Sequence, residues 1–278
     1  MLKVGRSQIL LILALGSLSF VSVLASSALA ADLNAPTARA WSILGSMQIS
    51  SNIHETHSAD YSADMTSFIR PSFKIGEYAS IDARFAVTKQ LTGDRFTLLD
   101  DLPVSLRILG LTLSPTIKYY PSLTLIAPMS TLSRNEKSLI LGTQLGQRLV
   151  FNELFTKRLD AYYGLSLARN FYRYATSFPG ESNTLYSVSN LVSLSYTLTD
   201  PLSFWVNGSQ ALGWTSGGSP KTKYELSEEL WYQINETLSA AIGHSNGGSA
   251  FKENGRDLNI AVFNGNTSLV YGSLTYKY

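Results

Sequence analysis

From Trp41 onward, apolar and polar side chains alternate with a period of two, in stretches of roughly ten to fourteen residues. Trp41, Ile43, Gly45, Met47 and Ile49 share one face of the first stretch, and Ser42, Ser46, Gln48 and Ser50 share the other. In the next, Met65, Ile69, Phe73 and Ile75 oppose Thr66, Arg70, Ser72 and Lys74. After a two-residue turn at Gly76-Glu77, Ala79, Ile81, Ala83, Phe85 and Val87 oppose Ser80, Asp82, Arg84, Thr88 and Gln90. Successive side chains of a strand point to opposite sides, so each stretch predicts a strand with one apolar and one polar face.

The same alternation predicts strands near 98–108, 111–124, 138–150, 158–171, 185–198, 201–214, 222–234, 237–246 and 267–278, twelve in all. Short turns fall at Gly76-Glu77, Leu109-Gly110, Thr199-Asp200-Pro201 and Asn235-Glu236-Thr237, with a longer one at 151–157. Long polar connections fall at 51–63, 91–97, 125–137, 172–184, 215–221 and 247–266. An even number of strands, with turns short on one side and long on the other, predicts an all-β fold. It is a closed, antiparallel, up-and-down transmembrane β-barrel with short periplasmic turns and long extracellular loops. Pro71, Pro103, Pro115 and Pro121 lie within predicted strands, where each forfeits a ladder hydrogen bond, so bulges or displaced strand ends are expected there. Ten or fourteen strands are therefore alternatives to twelve, and 258–263 fits either a short strand or a helix.

Aromatic side chains gather near predicted strand ends. Trp41, Phe73, Tyr78, Phe151, Tyr196, Phe204, Tyr232 and Tyr278 are expected low, and Tyr61, Tyr119, Tyr186, Trp214 and Tyr224 high, as two interfacial girdles. Composition agrees: 15 Tyr, 12 Phe and 4 Trp stand beside only 15% charged residues, and no second long apolar stretch could cross a bilayer as a helix.

Residues 1–30 read as a cleaved secretory signal: Lys3 and Arg6 precede an apolar stretch from Ile9 to Leu24, and Ala28-Leu29-Ala30 forms an A-x-A site. Residues 31–278 then form one barrel domain. Cleavage removes two basic groups and leaves 20 basic against 20 acidic, so nothing points to a nucleic-acid partner. The absence of Cys excludes disulfides and thiolate metal sites. No cofactor or metal is expected.

The final stretch, Asn266 to Tyr278, alternates up to an aromatic terminus. It resembles the C-terminal signature of Gram-negative outer-membrane β-barrels. That resemblance implies an outer-membrane location, contact with its lipids, and recognition of the last strand by the barrel-assembly machinery.

Three features bear on chemistry. His54 and His57 form a His-x-x-His pair in a loop, a spacing that more often reflects solvated loop polarity than a metal site. Gly243-His244-Ser245-Asn246-Gly247-Gly248 resembles the His-x-Ser-Asn stretch of outer-membrane phospholipase A and of lipid A deacylases, and it implies a lipid hydrolase using His244. Here His and Ser are adjacent, so a strand would turn them to opposite faces, against the contact a Ser–His pair needs. Asp100-Asp101 is similar to the paired carboxylates of omptin-type proteases, without the matching His–Asp pair.

The larger constellation is the charge on the polar faces. Arg70, Lys74, Arg84, Arg107, Lys118 and Arg148 fall on the inward side of neighbouring strands, with Asp82 as their acidic companion. Glu225 and Glu229 share the inward side of the tenth strand with Lys223, and this strand lies roughly across the barrel. A basic wall facing carboxylates sets up a transverse field that concentrates anions. Twelve-stranded acidic-sugar porins are similar in their luminal arginine tracks. Small inward residues such as Ser42, Ser46, Gly142, Gly146, Gly164, Ser166, Ala168, Ser193 and Ser195 leave room for solute. The leading expectation is a porin-like channel for passive diffusion of small solutes, anions among them. The alternatives are a non-conducting surface or structural barrel with partner-binding loops, and the lipid hydrolase using His244.

Overall fold

The computed structural model describes residues 40–56, 58, 60–93, 95–178, 180–252 and 257–278. The expected signal at 1–30 and His57 lie outside these residues. Twelve barrel strands follow in chain order: β1 (Trp41–Asn52), β2 (Ala63–Ile75), β3 (Ala79–Ala83 and Phe85–Gln90), β4 (Thr97–Leu99, Leu102–Ile108 and Leu111–Ser114), β5 (Ile117–Ala127) and β6 (Leu139–Phe151). They continue as β7 (Leu159–Tyr172), β8 (Thr184–Thr199), β9 (Leu202–Thr215), β10 (Pro220–Gln233), β11 (Leu238–Gly248) and β12 (Ser268–Lys277). Each pairs antiparallel with its chain neighbours, and β1 pairs with both β2 and β12, which closes the sheet. At the closure Ile43 N donates to Tyr278 O at 3.0 Å, Tyr278 N donates to Ile43 O at 2.9 Å, and the Trp41 and Tyr278 rings lie 5.2 Å apart. The last residue of the chain thus completes the ladder that removes the sheet's free edges.

Each proline has an identifiable place. Lys74 N donates to Ala40 O, so the even-numbered amides of β2 face β1, and the nitrogen of Pro71 faces β3. There β3 is interrupted, at Arg84. The β3–β4 register advances from Ala83↔Val104 to Val87↔Leu99, which leaves one extra residue in β4 around Asp100 and Asp101, beside Pro103. Such a bulge re-aims side chains, and Asp101 turns to accept from Met129 N and Ser130 N in the loop after β5, at 3.0 and 2.9 Å. The β5–β6 ladder runs unbroken through Pro121, and pairing lapses instead on the β4 side, between Arg107↔Ser122 and Leu111↔Tyr119.

Pro115 corrects one predicted boundary. Leu111–Ser114 pairs with Ile117–Tyr119, so it continues β4 past a kink at Leu109-Gly110, and the reversal lies at Pro115-Thr116. Tyr119 consequently stands near the short-turn end, and it does not belong to the upper girdle. Tyr224 is buried, with its hydroxyl held by Asn246 and Ala261 of the last loop, so it too leaves that girdle. The segment 258–263 forms no helix; Phe251 and Leu258 make one antiparallel bridge.

Burial is inverted relative to a soluble protein. Ser193 is 1% exposed and Asp82 5%, whereas Ile69 is 57% exposed and Ile242 65%. The outer wall carries the aliphatic residues and, toward its ends, aromatic rings: Tyr196, Phe204, Tyr232 and Tyr276 near the short turns, Tyr186 and Trp214 near the long loops. The inner wall carries serines, asparagines and charge. That polarity suits a barrel whose outside meets hydrocarbon.

Candidate pore lining

Register fixes which side chains share the inside. Ser72 lies opposite Asp82, Asp82 opposite Ser105, Ser105 opposite Thr124, and Thr124 opposite Gln144, all on the polar face. The inward positions expected from sequence follow from the same alternation: Arg70 and Lys74 on β2, Asp82 and Arg84 on β3, Arg107 on β4, Lys118 on β5, Arg148 on β6, and Glu225 and Glu229 on β10.

The basic side chains divide into three local arrangements. Arg107 Nη2 donates to Asp82 Oδ1 at 3.0 Å while its Nε lies 2.9 Å from Oδ2, and the same carboxylate attracts Arg70. Two arginines thus share one acid, and a positive charge remains. Arg84 lies over the Phe68 ring at 4.7 Å, near the Asp100 carboxylate. Arg148 lies 5.1 Å from the Tyr120 ring centre and 5.9 Å from that of Tyr162, close enough to Arg107 for mutual repulsion. Ring faces hold a guanidinium by its positive charge and leave its edge to other partners. Lys74 and Lys118 stand near the short-turn end.

Across the barrel, Glu229 lies opposite Trp205 on β9 and Gly243 on β11, and Gly243 lies opposite Tyr271 on β12. The Tyr271 hydroxyl donates to Glu229 Oε2 at 3.1 Å, over a glycine whose added Cβ would meet Tyr271 Cζ and Oη at 2.5 Å. The glycine makes room for the ring. Glu225 stands two positions nearer the long loops on the same strand. In the closed ring β10 lies six strands from β4, so basic and acidic walls face each other.

Two features were not foreseen from sequence. Leu44, Phe68 and Ala86 form a buried apolar cluster on the inner side, and Tyr162, Trp205 and Tyr271 also point inward and are buried. The lumen is therefore lined by rings as well as by serines. At the long-loop end, Lys223 lies near enough to Lys137 and Lys221 to feel both charges, and Lys221 pairs with Glu181 at 3.3 Å. The loop that brings Lys137 there is tied down by Asp101 and by Asn183, whose Nδ2 donates to Lys137 O at 3.1 Å.

His244 lies on the opposite, outward side. It is paired with Glu228, its Nδ1 2.7 Å from Oε1, and stacks on Phe263 of the last loop with ring centres 5.8 Å apart. Ser245 lies opposite Ser227 and faces inward, so the adjacent His and Ser are separated by the sheet. Asp100 and Asp101 serve Arg84 and the loop after β5. Among the described residues no group of acidic and histidine side chains could hold a metal ion.

No family model matches the chain, and no curated sequence does. Solved structures do. An outer-membrane channel from Pseudomonas putida F1 superposes with a TM-score of 0.60 at 11% identity, over 89% of this chain and 98% of its own. The NanC porin superposes with a TM-score of 0.53 at 11% identity, over 86% of this chain and all (100%) of its own. The chain shares with these two proteins a closed antiparallel β-barrel fold.

Proposed function

We propose that the chain is an outer-membrane channel for passive diffusion of small solutes, with a preference for anions. The carrying observation is the uneven charge of the inner wall. Arg70, Arg84, Arg107 and Arg148 occupy neighbouring strands with Asp82 and Asp100 as acidic companions, and Lys137, Lys221 and Lys223 gather at the long-loop mouth. An anion entering there meets positive potential at the rim and again along one wall, while Glu225 and Glu229, below Lys221 and Lys223 on the same face of β10, place carboxylates on the opposite wall. Serine, asparagine and tryptophan side chains between the walls suit a hydrated path. The exposed aliphatic band, the two levels of aromatic rings and the alternation of turn lengths support an outer-membrane location. The two barrels it resembles are described as an outer-membrane channel and a porin, which accords with this reading.

Liposome swelling tests the preference. Vesicles holding the purified barrel should swell faster in a small carboxylate than in an amine salt of equal size, and equal rates would reject an anion preference.

A further inference from the structure

One carboxylate holds the entry of the long loop after β5. Asp101 Oδ1 accepts from Met129 N and Ser130 N at 3.0 and 2.9 Å, and its Oδ2 accepts from the hydroxyl of Ser133, which is buried. The loop then makes a single helical turn at Leu132–Glu136, closed by Lys137 N donating to Leu132 O at 2.9 Å. The loop after β7 holds its exit. Phe178 N donates to Glu136 O at 2.7 Å, Arg173 N to Ser138 O at 2.9 Å, and Asn183 Nδ2 to Lys137 O at 3.1 Å. That second loop is tied in turn to the β9–β10 connection, where Ser216 N donates to Asn183 O at 3.0 Å and Ser216 Oγ to Ala175 O at 2.8 Å. Three long connections thus form one braced unit, and Asp101 is its anchor on β4.

Residues 128–138 carry Arg134 and Lys137 against Glu136, an excess of one positive charge. The brace puts Lys137 near enough to Lys223 for the two charges to act on each other, beside Lys221 on the inner face of β10. Like charges gathered in this way repel, so the loop needs a tether to stay. A carboxylate accepting three hydrogen bonds is a strong one. At about 0.15 M salt a charge is screened over about 8 Å, so a Lys137 released into solvent would lose much of its hold on the mouth. We propose that Asp101 is a positioning residue for anion entry, an acid that raises anion preference because it fixes Lys137 beside Lys221 and Lys223. The inference rests on the anion-channel reading above. The field of the carboxylate itself acts in the opposite sense, since negative charge near a mouth repels anions. The sign of the Asp101 effect therefore separates a tether from a bare charge.

Reversal potentials in a potassium chloride gradient decide the sign, on barrels whose heat-dependent gel mobility shows them folded. Asp101→Ala and Lys137→Ala should each shift the potential toward potassium. Ser133→Ala, which alters no charge, should shift it the same way by less. In a barrel that already carries Lys137→Ala, adding Asp101→Ala should shift it far less. A shift toward chloride in Asp101→Ala, or an equal effect of Asp101→Ala in both backgrounds, would overturn the positioning role. Should Asp101→Ala give no folded barrel, Ser133→Ala decides alone, and wild-type selectivity there would overturn the role. A wild-type barrel with no chloride preference is a different failure, that of the anion-channel reading itself.

Discussion

Arg107 and Asp82 meet as a side-on pair, with Nη2 3.0 Å from Oδ1 and Nε 2.9 Å from Oδ2, on adjacent strands of the inner wall. Asp82 is thereby committed, and it tempers the field of Arg107 and Arg70 together. Asp82→Asn should release that field. In a potassium chloride gradient the reversal potential should move further toward chloride, and Arg107→Ala should move it the other way. Both shifts should shrink as salt rises to about 1 M, where charges are screened within about 3 Å.

Arg148 is held between two phenol rings at 5.1 and 5.9 Å. Replacement by Ala removes contacts worth about 1–2 kcal/mol and empties part of the lumen. Single-channel conductance should rise and chloride preference should fall. Arg148→Lys keeps the charge and loses the planar stacking, so its preference should stay near wild type.

Gly243 lets Tyr271 reach Glu229. Gly243→Ala would place a Cβ 2.5 Å from the Tyr271 hydroxyl and 2.7 Å from Glu228 O, and backbone cannot yield as a flexible side chain can. The expected cost is about 1–3 kcal/mol. Heat-dependent gel mobility, read as the temperature at which the folded band disappears, should drop. Tyr271→Phe tests the hydrogen bond alone and should lower it less.

Tyr278 carries both hydrogen bonds to Ile43 and the ring beside Trp41. Deleting it should slow barrel closure in detergent refolding, and Tyr278→Ala, which keeps the backbone bonds, should slow it less. If the terminal ring is also what the assembly machinery reads, Tyr278→Ala should lower the folded yield in cells more than in vitro, and Tyr278→Phe should restore it.

Period-two alternation marks the inside face, because a one-residue slip would turn every apolar side chain inward, and it bounds the strand number at twelve with ten or fourteen open until the prolines are placed. The same alternation puts Arg84, Arg107 and Glu229 on the polar face of their strands. Boundaries depended on which edge of a strand a proline faces, and that needs the neighbouring register; hence Pro115 was read within a strand and Leu109-Gly110 as a turn. Leu44 and Phe68 broke the inside-polar rule individually, and an isolated exception in an alternating segment carries no signal until its neighbours are known. Glu228 and His244 are far apart in sequence and become a pair only through the β10–β11 register.

The central claim, an anion-preferring path along the arginine wall, is tested most directly in planar bilayers. The purified barrel should conduct with chloride favoured over potassium, and Arg84→Ala with Arg107→Ala should abolish most of that preference without closing the pore. Absence of conductance, or a potassium preference that the double variant leaves unchanged, would contradict it.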